Sequence, residues 1–152
     1  MPEEKTIQEN NFPEKKLKES RERVFALERS MLQFEAVDID IDHLFCNGMY
    51  ARTMYVPKGI TLTGKIHKYP QINICAKGDV TVFMENGPIR VGAGFHTVSP
   101  AGAKRAFYAH EDSIWIVILK TDETDIEKIE GELVTNSEQE YLEFKEDKKC
   151  LL

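Results

Sequence analysis

Three side chains that can bind anions or move protons lie in the middle of the sequence: Lys65, His67 and Arg105. On an extended strand, residues two apart share a face, so Lys65 lies beside His67 and Arg105 beside Phe107. A guanidinium clamps a carboxylate or phosphate through two hydrogen bonds, and an ammonium acts as a point charge. An imidazole exchanges its proton near neutral pH. These residue types predict a pocket for a small anion or an acid–base centre at His67.

Several other chemistries are not indicated. The three cysteines, Cys46, Cys75 and Cys150, lie far apart and match no zinc spacing, and the sequence has no P-loop or GxGxxG motif. We therefore predict no cofactor. The net charge of −6 argues against general nucleic-acid binding. The charged N-terminus and the lack of a long apolar run predict no secretory signal, no membrane contact and a cytoplasmic location.

The charge pattern divides the chain into three parts. Residues 37–120 have a net charge of +2, whereas residues 1–36 have −1 and residues 121–152 have −7. The middle part consists of short alternating runs separated by turn residues such as Asn86-Gly87, which predicts antiparallel strands in a barrel or sandwich. We therefore predict a charged leader (1–36), a barrel (37–120), and a short helix followed by an acidic tail (121–152).

Helical periodicity is confined to the two flanks. An apolar stripe predicts a helix over about 13–34: Leu17, Val24, Leu27 and Met31. This stripe packs either on the barrel or on a partner subunit, and in the second case it would support a homo-oligomer. A second stripe predicts the short helix within Asp122–Leu133: Ile126, Ile129 and Leu133. Residues 134–152 are expected to form a charged tail.

Two segments of the predicted barrel have the spacing of the two cupin motifs. In the first, five residues separate Gly59 from Lys65-Ile66-His67, three more precede Gln71, and six more precede a glycine. In the second, five residues separate Gly94 from Pro100-Ala101-Gly102, and two more precede Arg105. The sequence therefore resembles the cupin superfamily, and in particular small cupin-like proteins often found in tailed bacteriophages. That association implies the cytosol of a bacterial host.

The resemblance implies an all-β fold, the double-stranded β-helix or jelly-roll barrel, with an N-terminal helix and a short C-terminal helix. Cupins usually hold one metal with two His, a Glu and a later His, and the matching positions here are Lys65, His67, Gln71 and Arg105. Lysine and arginine have no lone pair for a metal at neutral pH, and their charges repel a divalent cation. We therefore predict no metal and rank a metal-dependent dioxygenase last.

In the cupin register, the ligand-binding side chains that point into the barrel are Lys65, His67, Gln71, Asn73, Arg105 and Phe107. Tyr50 or Trp115 can stack, as Phe107 can, on a base or sugar ring. No carboxylate is identified in this inward set, and buried cations need counter-charges. We therefore predict a metal-independent cupin that binds a small anionic metabolite, similar to a nucleotide or a sugar phosphate, for sensing or sequestration.

Other interpretations remain open. One is a metal-independent isomerase or epimerase of an activated sugar or keto acid, with His67 as the base and a tyrosine as the acid. Another is an oligomeric structural or interaction protein. In a third, the site residues are structural: Lys65 reaches solvent at the barrel mouth, Arg105 pairs with Glu85 or Glu111, and His67 is a core histidine.

Overall fold

The computed structural model describes residues 12–150, which form a barrel of short strands flanked by three helices. In chain order the elements are α1 (Glu14–Met31), β1 (Asp40–Cys46), β2 (Met49–Val56), β3 (Thr61–Thr63), β4 (Ile66–His67), β5 (Gln71–Lys77), β6 (Asp79–Met84), β7 (Gly87–Gly92), β8 (His96–Ser99), β9 (Ala106–Ala109), β10 (Ser113–Lys120), α2 (Ile126–Leu133), β11 (Val134–Thr135) and α3 (Glu138–Cys150). Residues 1–11 of the predicted leader and the last two residues of the predicted tail lie outside the described residues.

Two antiparallel sheets form the barrel. One has five strands in the order β1-β2-β10-β5-β8, and the other has four in the order β3-β9-β6-β7. Their inner faces share one apolar core, in which Trp115 and Val117 of the first sheet contact Val82 and Phe107 of the second. A two-stranded sheet of β4 and β11 lies beside them. The predicted all-β jelly roll with flanking helices is confirmed.

Alternation of side chains along the strands aims the candidate residues inward. On β10, Ser113, Trp115 and Val117 are buried, and the isoleucines between them are only half-buried. Each β2 residue pairs with one on β10, which places Arg52 beside Val117. The bounds of β2 and β10 match the predicted strands, whereas β1 begins at Asp40, three residues after the alternating run starts.

Helix α1 packs on its own chain. Leu17 and Val24 of the predicted stripe are buried, and so is Arg21 between them. The Arg21 guanidinium donates to Glu138 on α3 and to the Gly102 carbonyl oxygen at 3.0 Å. Gly102 has a φ of +85°, and a Cβ there would lie 2.5 Å from the Tyr141 hydroxyl, so this contact requires glycine. The stripe therefore docks on the barrel and α3.

Residues 138–150 of the predicted acidic tail form helix α3, which was not predicted from the sequence. Ser137 Oγ accepts from the Glu140 amide near the start of α3, and Tyr141 is buried. Charged residues surround Tyr141 in the sequence, which leaves little apolar periodicity in α3. The short helix α2 was predicted, and Asp125 caps it by accepting from the Glu127 amide. No helix within residues 12–150 is long and apolar enough to cross a membrane.

The outer face of the five-stranded sheet is apolar. One row of cross-strand neighbours spans all five strands: Leu44, Ala51, Ile118, Ile72 and Val98. Leu44 is 66% exposed and Ile72 is 46% exposed. Contiguous exposed apolar surfaces are typical of interaction sites. The homo-oligomer stays a prediction, and this face, rather than the α1 stripe, is the candidate interface.

Candidate functional site

A cavity of about 480 Å³ lies between the two sheets. Helix α2 covers one end of it, where Ile129 and Leu133 pack on Tyr50. All eight residues predicted to bind a ligand line this cavity: Tyr50, Lys65, His67, Gln71, Asn73, Arg105, Phe107 and Trp115. The structure thus brings the predicted residues together, and their contacts decide which of them are available to a ligand.

Lys65 does not point into the barrel as predicted. Strand β3 ends at Thr63 and β4 begins at Ile66, so the two-residue alternation does not extend from His67 back to Lys65. The Lys65 side chain is 47% exposed, and its Nζ lies 3.4 Å from Glu130 Oε2 on α2. Lys65 therefore lies at the cavity mouth with its charge in water, which is the structural alternative noted above.

Arg105 faces the cavity but already has a counter-charge. Its Nε and Nη2 donate to the two carboxylate oxygens of Glu85 at 3.1 and 3.0 Å. Glu85, in the turn between β6 and β7, is completely buried. The expectation of no carboxylate near the inward cations is therefore wrong. The pair with Glu85 is one of the structural alternatives given above for Arg105. Strand alternation did not decide between the alternatives, because Glu85 is a turn residue. Arg105 Nη1 remains buried without a hydrogen-bond partner.

Arg52 is a charged cavity residue that was not among the predicted site residues. It lines the cavity from β2, between Tyr50 and Met54 on the same face. The Arg52 Nε is buried without a hydrogen-bond partner, and Arg52 forms no ion pair within residues 12–150. Its Nη2 donates to the Met54 sulfur at 3.5 Å. Tyr50 was a candidate, and Arg52 two residues later shares its face, so strand alternation offered the signal.

His67 is held in its neutral form. Enclosure in the barrel lowers its pKa from 6.5 to about 3, and the nearby charges of Arg105, Arg52 and Lys104 add to the effect. The Gln71 amide Nε2 lies 3.1 Å from His67 Nε2. With the amide as donor, His67 Nε2 accepts and the ring proton lies on Nδ1. Nδ1 is buried without a partner, so it is a third free donor beside the cavity.

Asn73 forms hydrogen bonds with two other cavity residues, Ser99 and Trp115. Asn73 Oδ1 accepts from the Trp115 indole at 3.2 Å, and Asn73 Nδ2 donates to Ser99 Oγ at 2.6 Å. The Trp115 ring stacks on Phe107 at 5.5 Å, with 22° between the planes. Asn73 therefore positions the aromatic floor rather than offering a free amide.

Tyr50 lies at the end of the cavity that α2 covers, and its hydroxyl is paired with a histidine. Its hydroxyl lies 2.5 Å from His43 Nδ1, and burial raises the pKa of Tyr50. The Phe45 ring stacks on Tyr50, with 5.0 Å between the ring centroids. Tyr50 thus contributes a wall that is fixed in place by its neighbours.

A metal does not fit this donor set. The four cupin metal positions hold Lys65, His67, Gln71 and Arg105, and only the imidazole of His67 is an ordinary metal ligand. Its Nε2 already accepts from Gln71, and the Arg105 charge would repel a cation. In the part of the chain that the structure describes, no three His, Cys, Asp or Glu side chains come together in a way that could hold a metal ion.

Comparisons with known proteins bear on the fold. No family model matches the chain, and no curated protein matches it in sequence. KdgF from Halomonas sp. is similar in structure, with a TM-score of 0.52, 20% identity, and coverage of 60% of this chain and 88% of that one. An RmlC-like cupin from Shewanella frigidimarina gives a TM-score of 0.51 and 17% identity over 60% of this chain and 85% of that one. The predicted cupin fold is thereby confirmed.

Proposed function

We propose that this cupin-fold barrel binds a small organic anion without a metal. One observation carries the proposal: three buried nitrogen donors beside the cavity lack partners, namely Arg52 Nε, Arg105 Nη1 and His67 Nδ1. An unpaired buried donor costs about 1–3 kcal/mol in the free protein. Negatively charged oxygens entering the cavity would pair with these donors and offset that cost.

The charge of the cavity supports an anion rather than a neutral ligand. Arg105 is balanced by Glu85, but Arg52 has no carboxylate partner among the described residues. A hydrogen bond between a guanidinium and a carboxylate is strong inside a protein, because the surroundings screen charge poorly. Arg52 is therefore the residue on which recognition of the anion depends most.

A role for His67 as the base of an isomerase or epimerase is disfavoured. A general base works best when its pKa lies near the working pH. With a pKa of about 3, the His67 imidazole binds a proton weakly and abstracts one poorly at neutral pH. The same neutral ring serves well as a hydrogen-bond donor through Nδ1. Sensing or sequestration of the ligand remains the favoured role.

Thermal unfolding of the full chain with and without millimolar anions tests this proposal. The probes are sodium 3-phenylpropionate, glucose 6-phosphate and inorganic phosphate, at constant ionic strength. The variant is Arg52→Gln, and the matched control Arg23→Gln removes the same charge from an exposed position on α1. We expect at least one anion to raise the Tm of the wild type and of the control, but not of Arg52→Gln. Equal shifts in all three proteins, or no shift at all, would contradict the proposal.

A further inference from the structure

We propose that the ligand is a monocarboxylate with an apolar body, an inference that rests on the proposed function. The charge on the cavity walls is the first reason. The Lys65 ammonium is paired with Glu130 at the mouth, and Arg105 is paired with Glu85. Only Arg52, among the charged cavity residues that the structure describes, is left without an opposite charge. The cavity therefore has a net charge of one positive unit to be matched.

A carboxylate matches that charge, and a phosphate does not. A carboxylate carries one negative charge at neutral pH, whereas a phosphate monoester carries about 1.5 to 2. The second charge of a phosphate would have to be desolvated without a partner, which is unfavourable in a cavity of this kind. The planar guanidinium of Arg52 is also suited to the two oxygens of a carboxylate.

The second reason is that the cavity walls around the three donors are mostly apolar, which favours a ligand with an apolar body. The floor is the stacked pair Phe107 and Trp115, and Leu62 and Val82 lie beside it. The α2 side contributes Leu133 and other aliphatic side chains. Apolar surface of this extent stabilises a ligand body that is itself apolar, by about 25 cal/mol for each Å² removed from water.

The hydrogen-bonding capacity of the cavity is the third reason. The buried unpartnered atoms that border it are all nitrogen donors, on Arg52, Arg105 and His67. A sugar or ribose brings several hydroxyl groups, each of which also needs an acceptor. Asn73 Oδ1 already uses one of its two lone pairs to accept from Trp115. Carboxylate oxygens only accept, which matches the free donors.

Isothermal titration calorimetry of the full chain with a graded series tests this inference. The series is acetate, butyrate, hexanoate and 3-phenylpropionate, compared with 3-phenylpropionamide and with glucose 6-phosphate. We expect the affinity of the linear acids to rise about fourfold per methylene group, because each group enters an apolar cavity. We expect 3-phenylpropionate to bind at least about tenfold more tightly than its neutral amide in the wild type, since a charge-assisted hydrogen bond is lost.

Two variants assign these effects to residues. Arg52→Gln should weaken the binding of the acid by about tenfold and so remove its preference over the amide. Phe107→Ala should weaken the binding of the acid and of the amide by the same factor, because the substitution removes only apolar contact. The control Arg23→Gln should behave like the wild type, because residue 23 is exposed and distant in sequence from the barrel strands.

The possible failures are distinguishable. If glucose 6-phosphate binds more tightly than every carboxylate, and does so through Arg52, the monocarboxylate inference is overturned while anion binding stands. If affinity does not rise with chain length along the acid series, the inference that the ligand has an apolar body is overturned, while anion binding stands. If no anion binds in a manner that depends on Arg52, the proposed function itself fails.

Discussion

Lowering the pH should destabilise the folded protein through His67. The pKa of its imidazole is about 3 in the folded protein and 6.5 when unperturbed, because the ring is enclosed in the barrel and lies near Arg105 and Arg52. Between these two values the unfolded chain binds a proton that the folded protein does not bind. The stability provided by a neutral His67 is therefore complete above about pH 6.5 and declines as the pH falls toward 3.

The size of the effect follows from the pKa difference. Each pH unit in this window costs about 1.4 kcal/mol, so a fall from pH 8 to pH 5 removes about 2 kcal/mol of unfolding free energy. Urea unfolding at both pH values measures this loss in the wild type, in His67→Gln and in the control His96→Gln, which changes an exposed histidine. Acidic groups such as Asp79, whose pKa is lowered by its hydrogen bond to Arg90, contribute equally to all three proteins and cancel.

We expect the wild type and His96→Gln to lose about 2 kcal/mol more than His67→Gln over this pH range. If His67→Gln shows the same pH dependence as the wild type, the enclosure of a neutral His67 is refuted. The pKa of His67 would then no longer exclude it as an efficient base.

Four further outcomes are expected. Arg105→Gln should lower the unfolding free energy by about 3–5 kcal/mol, because it leaves buried Glu85 without its partner, and the double variant with Glu85→Gln should recover much of this loss in urea unfolding. Lys65→Ala should change stability and carboxylate affinity little, by less than about 1 kcal/mol in unfolding and calorimetry, because its pair with Glu130 is exposed. Arg52→Met should stabilise the ligand-free protein, by about 1 kcal/mol in thermal unfolding, because it removes an unpaired buried donor. Ile118→Lys should lower the mass measured by light scattering if two copies meet through the apolar row on the outer face of the five-stranded sheet.

Much of the fold could be predicted from the sequence because local pattern and spacing agree. The alternating runs at Met49–Val56 and Ser113–Lys120 became strands with those bounds. The glycine and proline spacing around Gly59 and Pro100 placed the turns between them. Helix α3 could not be predicted, because it is stabilised by contacts with a residue far away in the sequence: Arg21 on α1 donates to Glu138.

The candidate site was predicted in position but not in its electrostatics. Alternation correctly placed Asn73 and Phe107 on the cavity wall. The pair between Arg105 and Glu85 was one alternative, but alternation could not select it, because a turn side chain has no fixed face. The unpaired positive charge that was predicted at Arg105 is therefore found at Arg52, because Arg105 is paired with Glu85.

Nuclear magnetic resonance of the arginine side chains tests the central claim most directly, because Arg52 Nε is a buried donor that lacks a partner. The full chain, labelled with ¹⁵N, is titrated with 3-phenylpropionate and, separately, with 3-phenylpropionamide; the Arg52→Gln spectrum assigns the signal. We expect the Arg52 Nε–H resonance to move downfield as the carboxylate saturates the cavity, and to respond much less to the amide. An Arg52 resonance that stays in place while the acid binds, or that moves equally with both compounds, would contradict an anion site in this barrel.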